Sequence, residues 1–277
     1  MSEITTDEGR RARAFATLPF TEIEKRITAD SLLVVPVGAI EQHGAHLPLN
    51  TDAVVSEEVA AAAVARAVDA GVDAWLLPPL QITKSDEHDW SAGTLWLSES
   101  TMMQTLIDLG RSVTATAART LVFVNGHGGN VGPLAVACRE LRRRFGLRTF
   151  AMPAALRAPA PWTDAAGTVH GGQENGMDIH AGFCETSVMM HLRPDLVDAG
   201  AFARNVPDWL AEFDDIRFNG GFVSFGWTSD DFGPSGVIGD PTGATAAAGA
   251  EIFAGSVAKV AGALAQIQRA AAHLPLR

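Results

Sequence analysis

The sequence predicts an α/β protein in which helices cover both faces of a mostly parallel sheet, and three observations carry that prediction. Four apolar, β-branched runs recur along the chain, "SLLVVPVGAI", "DAWLLPPLQI", "RTLVFVNG" and "LRTFAMPAA". Each is short enough for a strand and is bounded by Gly, Pro or polar residues. Ala-rich segments with helical spacing lie between them. The runs are continuously apolar instead of alternating, as expected of strands buried on both faces.

After the first run, "DAVVSEEVAAAAVARAVDAG" reads as a helix whose terminal Gly71 suits a C-cap. After the second, "SESTMMQTLIDLGRSVTATAART" opens on Ser98, an N-cap residue type. "RELRRRFGLR" reads as one face of a helix. From about Pro153 to Pro241 the chain turns irregular, and "APAPWTDAAGTVHGGQENGMDIHAG" carries no periodicity. A structureless loop that long inside a compact domain is usually functional. The last segment, "TGATAAAGAEIFAGSVAKVAGALAQIQRAAAHL", reads as one long helix whose small residues would let another helix or subunit approach closely.

With 277 residues and no evident linker, the chain is read as a single domain over 1–277. Residues 1–25 form an N-terminal extension, and 154–180 and 218–236 are irregular loops. A net charge of −11 argues against nucleic acid or an anionic membrane as partner. "MSEITTDEGRRARAFATLPF" lacks the apolar centre of a signal peptide, and no uninterrupted apolar run approaches the ~20 residues of a spanning helix. Cys138 and Cys184 have no CxxC spacing and are expected to be reduced thiols in a cytoplasmic protein. Small molecules or other proteins remain as partners.

In open parallel α/β sheets, ligands bind beyond the carboxyl ends of the strands. "VPVGAIEQHGAHLPLNTD" places Glu41, His43 and Asp52 after the first strand, and "NGHGGN" places His127 after the third. Glu41 and His43 are two apart, so in extended backbone they point the same way and Gln42 points away. A lone Glu-x-His is a weak signal. The second strand-end histidine strengthens it, as do His180 and Glu185 in "HAGFCETS". "NGHGGN" lacks the Lys and Ser/Thr of a phosphate-binding loop.

Taken together and in this order, "PVGAIEQHGAHLPLNTD", "NGHGGN" and "HAGFCETS" resemble the creatininase family of metal-dependent amidohydrolases. The resemblance runs from about Ser31 through the "GVIGDPTGAT" loop and its helix. It implies a three-layer α/β/α domain with two divalent ions per chain at the strand ends. Asp52 would bridge them, Glu41 and His127 would complete one site, and His43 with Glu185 the other, with His180 carrying a proton beside them. Three close carboxylates cannot all stay ionised without cations, and the implied coordination number of four suits zinc, with manganese or iron as alternatives.

The activity so implied is cleavage of a C–N bond in a small cyclic amide or related amide by a metal-bridging hydroxide. Alternatives on the same centre are hydrolysis of a cyclic sugar ketone or of a peptide-derived cofactor precursor, and a scaffold that binds metal without turnover stands outside catalysis altogether. Creatininase itself carries a metal-ligating Glu in its "GH" loop, where this chain has Gly128 and Gly129, and that departure speaks against creatinine as substrate. His88 in "SDEHDWSAGT" matches a pocket-lining segment of the family, and Trp162 and His170 are candidates to close over a substrate. His46 is expected to play a structural or supporting part, and His191 none. Family members and the small-residue helix also suggest a homo-oligomer, with a hexamer as the form the resemblance implies.

Overall fold

The computed structural model describes residues 13–154, 156, 162–163, 169–170, 178–218 and 222–276. The four apolar runs form the strands Leu32–Val37 (β1), Ala74–Leu76 (β2), Thr120–Asn125 (β3) and Arg148–Pro153 (β4). They make one all-parallel sheet in the order β2-β1-β3-β4. In β1 and β3 every residue is buried, which is why their sequences are continuously apolar.

Helices Thr51–Asp69 (α2), Glu99–Val113 (α3) and Val131–Phe145 (α4) make the crossovers, preceded by a short helix, Phe20–Arg26 (α1), and followed by Phe183–Leu192 (α5) and Ala246–Ala271 (α6). Ser98 caps α3 as expected, its hydroxyl accepting from the Thr101 amide. Two apolar clusters sandwich the sheet. Leu32, Val34, Val122 and Val124 face α2, α5 and α6. Leu33, Val35, Leu121 and Phe123 face α3 and α4 through Leu106, Ile107, Leu134 and Leu141. The result is the three-layer α/β/α arrangement.

Three features go beyond what the sequence pattern displays. The region around "APAPWTDAAGTVHGGQENGMDIHAG" contains a hairpin of Trp162–Thr163 (β5) and Val169–His170 (β6), with Trp162 opposite His170. Two-residue strands are too short to show a period in sequence. The side chains of Trp162 and His170 lie outside the described residues. Second, α6 is long and apolar enough by composition to cross a membrane, with 26 residues and an 18-residue stretch whose mean hydropathy is 1.3. Its many Ala residues raise that value, while Ile252, Val260 and Leu264 are spent on the core. Third, part of the N-terminal extension is built into the domain. Ala14 pairs with Leu76 of β2, Arg13 binds Asp73 at 2.9 Å, and Phe15, Leu18 and Ile23 pack on the core.

The topology also places the crevice. From β1 the chain moves to β2 on one side, then returns to β3 on the other. The carboxyl ends of β1 and β3 therefore flank a topological switch point, where open α/β sheets bind ligands.

Two glycines bring α2 into that crevice. A Cβ on Gly38, just beyond β1, would fall 2.5 Å from Ala53 Cα and 2.8 Å from the Asp52 carbonyl carbon. One on Gly126, just beyond β3, would fall 2.8 Å from the Asp52 carbonyl oxygen. Only bare backbone at both positions lets the first turn of α2 rest on the strand ends. Because the obstacles at residue 38 are main-chain atoms, Gly38→Ala should cost about 1–3 kcal/mol of stability, the range for overpacking, and displace Asp52. Urea unfolding of the metal-free variant checks this, and unchanged stability would refute the close contact.

Candidate metal centre

Glu41 and His43 sit in the turn that follows β1, both with fully buried side chains. Asp52 occupies the first turn of α2, His127 lies two residues beyond β3, and Glu185 lies in the first turn of α5. His180 pairs through its backbone with Ile238. Residues up to 144 apart in sequence thus converge on the switch point.

Their ligand atoms form overlapping groups. Glu41, Asp52 and His127 make one set and His43, Asp52 and Glu185 another, each tight enough to hold a metal ion, with Asp52 shared. His127 Nδ1 lies 3.2 Å from Glu41 Oε2 and 3.1 Å from Asp52 Oδ2. His43 Nε2 lies 3.2 Å from Asp52 Oδ1 and 3.9 Å from Glu185 Oε2. A third set joins His180 to Glu41 and His43, with His180 Nδ1 at 3.6 Å from Glu41 Oε1.

The outer nitrogens of the three rings suit a metal as well. His43 Nδ1–H donates to the Glu41 carbonyl at 3.1 Å, His127 Nε2–H to the Lys84 carbonyl at 2.9 Å, and His180 Nε2–H to the Gln42 carbonyl at 2.7 Å. A carbonyl can only accept, so in each neutral ring the inward nitrogen carries the lone pair. Glu41 Oε1 and Asp52 Oδ2 are buried without a hydrogen-bond partner among the described residues, a costly state for carboxylate oxygens that a cation would relieve. The donor set fits a divalent metal.

Electrostatics separate the rings. Burial alone would lower the His43 pKa, but the charge and hydrogen bond of Asp52, with Glu185 and Glu41, push it up to about 10. His127 is likewise raised despite burial, by Glu41, Asp52 and Glu87. His180 is lowered well below the usual range by burial and by His43 and His88. Burial and the charge of Asp52 outweigh the attraction of His43 to push Glu185 up to about 8. Without a metal the cluster holds protons that a metal must displace.

A single non-glycine residue with positive φ is found among the described residues, Ala181 at 54°. It turns the chain between His180 and Glu185, and its amide donates to Glu185 Oε2 at 2.6 Å. His46 Nε2 lies 3.1 Å from the Ala181 carbonyl and 3.0 Å from Thr186 Oγ1. His46 thus supports the turn without entering the centre. His191 lies against Phe253, away from the site.

Gln42, expected to point away from Glu41 and His43, belongs to none of the metal-capable groups. It is buried, with Nε2 at 2.8 Å from His88 Nδ1 and donating to the Gly236 carbonyl at 3.1 Å. The two-residue alternation holds only inside a strand, and β1 ends at Val37. His88 lines the cavity with Nε2 at 3.5 Å from Glu41 Oε1. Ser85, which donates to Glu41 Oε2, and Glu87, whose Oε1 is 3.2 Å from His127 Nε2, were not singled out by sequence. Above the carboxylate floor opens a cavity of about 350 Å³, walled by Phe218, Phe225, Trp227 and Lys84.

With the strand-end centre in place, comparison with known proteins decides the family. Residues 16–264 match Creatininase, described as creatinine amidohydrolase. This chain belongs to the creatininase family. A curated relative from Mycobacterium ulcerans, named mycofactocin precursor peptide peptidase, is 37% identical over 226 residues, 80% of each chain. A creatinine amidohydrolase from Pseudomonas putida is 32% identical over 71% of this chain and 78% of its own. A solved creatininase variant of Zn–Zn type superposes with a TM-score of 0.68 at 26% identity, covering 91% of this chain and 96% of that one. As a creatininase-family protein with peptidase and amidohydrolase relatives, this chain is a hydrolase acting on C–N bonds.

Proposed function

We propose that this chain is a metal-dependent peptidase that hydrolyses an amide bond in a peptide-derived cofactor precursor, of the kind named for its mycobacterial relative. The observation that carries this reading is the cavity. Its volume of about 350 Å³ lies in the range that takes a drug-sized ligand. Phe218, Phe225 and Trp227 offer an apolar wall to a peptide side chain above the carboxylate floor. The mycobacterial relative is also more similar, in identity and in coverage, than the creatinine amidohydrolase. That ordering reverses the preference for a small cyclic amide drawn from sequence, which stays as the second reading because a creatinine amidohydrolase is among the relatives.

Glu41, Asp52 and His127 would hold one divalent ion, and His43, Asp52 and Glu185 the other. Zinc is the first candidate, and manganese or iron fit the same donors. Two such ions supply a water acidified to ionise near neutral pH and polarise a carbonyl oxygen. The proton work falls to His180. Its Nε2–H is committed to the Gln42 carbonyl, so Nδ1 offers a lone pair beside Glu41. His180, held neutral by its surroundings, takes a proton at Nδ1 from the attacking water and gives it to the departing nitrogen. A C–O bond forms, the C–N bond breaks, and the amine leaves neutral. Glu41 faces Nδ1 and stabilises the imidazolium formed between these two transfers.

The test uses zinc-loaded protein with the mycofactocin precursor peptide and, separately, with creatinine. The expected result is two peptide fragments whose summed mass exceeds the parent by one water, abolished by a chelator and restored by zinc, with creatinine unchanged. Creatinine turnover beside intact peptide would establish the cyclic-amide reading instead. Two bound ions with neither substrate turned over would favour the non-catalytic scaffold.

A further inference from the structure

The three inward-facing histidines are not held alike. His43 and His180 each rest an outer nitrogen on a single main-chain carbonyl. His127 Nε2 faces two acceptors, the Lys84 carbonyl at 2.9 Å and the Glu87 carboxylate, Oε1 at 3.2 Å. Glu87 comes from a one-turn 3₁₀ helix, Asp86–His88, which also delivers His88 to the floor of the cavity.

Gly129 leaves Glu87 the room it needs. A Cβ built on residue 129 would fall 2.2 Å from Glu87 Oε1 and 2.5 Å from His127 Nε2. The carboxylate thus occupies the volume that any side chain at 129 would fill. Its second oxygen, Oε2, is buried without a hydrogen-bond partner among the described residues, and the nearest cation, Lys84 Nζ, is 4.0 Å away. A charge kept in that position at a desolvation cost, against one face of one ring, has a directed role.

We infer that Glu87 is the positioning residue of His127: its carboxylate, admitted by Gly129, reinforces the Nε2–H tautomer that the Lys84 carbonyl selects and strengthens Nδ1 as a donor to the ion shared with Glu41 and Asp52. The inference rests on the metal-centre reading above and deepens it by making the two ions unequal. A carboxylate behind a ligating imidazole raises the basicity of the ring, and removing such a partner typically costs about 10- to 100-fold in metal affinity. The His43–Glu185 side has only a carbonyl behind its imidazole and gains nothing from Glu87. Glu87 does not take part in the reaction. It acts through His127.

The experiment is a competitive zinc titration of metal-free wild type, Glu87→Gln and Glu87→Ala, with circular dichroism to establish the fold. Wild type should bind two ions. Glu87→Gln keeps an acceptor and loses the charge, so it should weaken one of the two by about 10-fold, and Glu87→Ala by up to about 100-fold. The other ion should bind as before. In a His127→Ala background, where Glu87 has no ring to orient, Glu87→Ala should change the remaining affinity not at all. Cobalt-substituted Glu87→Gln should show shifted d–d bands from one ion only. Two ions in wild type with unchanged affinities in both variants would overturn the role of Glu87 alone. Equal weakening of both ions, or the same loss in the His127→Ala background, would also overturn it. Wild type that binds no ion would overturn the metal centre itself.

Discussion

Asp52→Ala protein should retain neither ion and should hydrolyse amides more than about 10⁴-fold more slowly, because the rate enhancement of such an enzyme, about 10⁶-fold or more, depends on the intact centre. Asp52 belongs to both ligand sets, with Oδ1 at 3.2 Å from His43 Nε2 and Oδ2 at 3.1 Å from His127 Nδ1. Glu41 also approaches both rings, but at 4.0 Å from His43 Nε2 it stands farther off than Asp52 does. Removing it takes one ligand from each site and one of three negative charges that would face two dications. Glu185→Gln should behave differently, loosening the ion on the His43 side and sparing the one held by Glu41 and His127. Because Asp52 also compensates two buried imidazoles in the metal-free protein, Asp52→Asn is the companion variant that preserves volume. Elemental analysis after dialysis gives the result. Two ions retained by Asp52→Asn and Asp52→Ala alike, or one lost and one kept, would remove Asp52 from the bridging position.

Much of this cluster is legible in sequence because each of its residues lies near a boundary between elements. The buried strands Leu32–Val37 and Thr120–Asn125 announce themselves as unbroken apolar runs, and the polar residues just past them are the ones that reach the crevice. The chain folds back where glycine permits, so Gly38 and Gly126 mark where α2 comes to rest. What sequence does not display is the contact made from elsewhere. Glu87 meets His127 across 40 residues with no local pattern to join them. The need of every ligating imidazole for an acceptor on its outer nitrogen was the one available clue. The partners of Gln42 are hidden for a related reason, since strand alternation ends with β1 and gives no account of the chain beyond it. There its Oε1 accepts from the Gly44 amide at 2.9 Å and its Nε2 meets His88.

Replacing His180 by Ala separates metal binding from proton transfer, and the geometry allows either role to be argued. His180 belongs to one metal-capable set, with Glu41 and His43. It also stands outside the two sets that share Asp52, and its Nδ1 is 3.6 Å from Glu41 Oε1. A ring held neutral by burial and by His43 and His88 is a poor resting acid. It is a competent temporary carrier, because Glu41 favours the proton once Nδ1 has taken it from water. General acid–base groups contribute about 10²–10⁴ in rate, so His180→Ala should lower kcat by that factor while KM changes less and both ions stay bound. Amides whose departing nitrogen is already a good leaving group should suffer less, since the nucleophile does not depend on His180 alone. The ring also stacks near His43 and His88, at 4.3 Å between centroids in each case, so His180→Gln is the variant that keeps most of the packing. Metal content and kcat are measured on the same preparation. Ion loss in step with activity would make His180 a ligand, and an undiminished kcat would leave it no part in the chemistry.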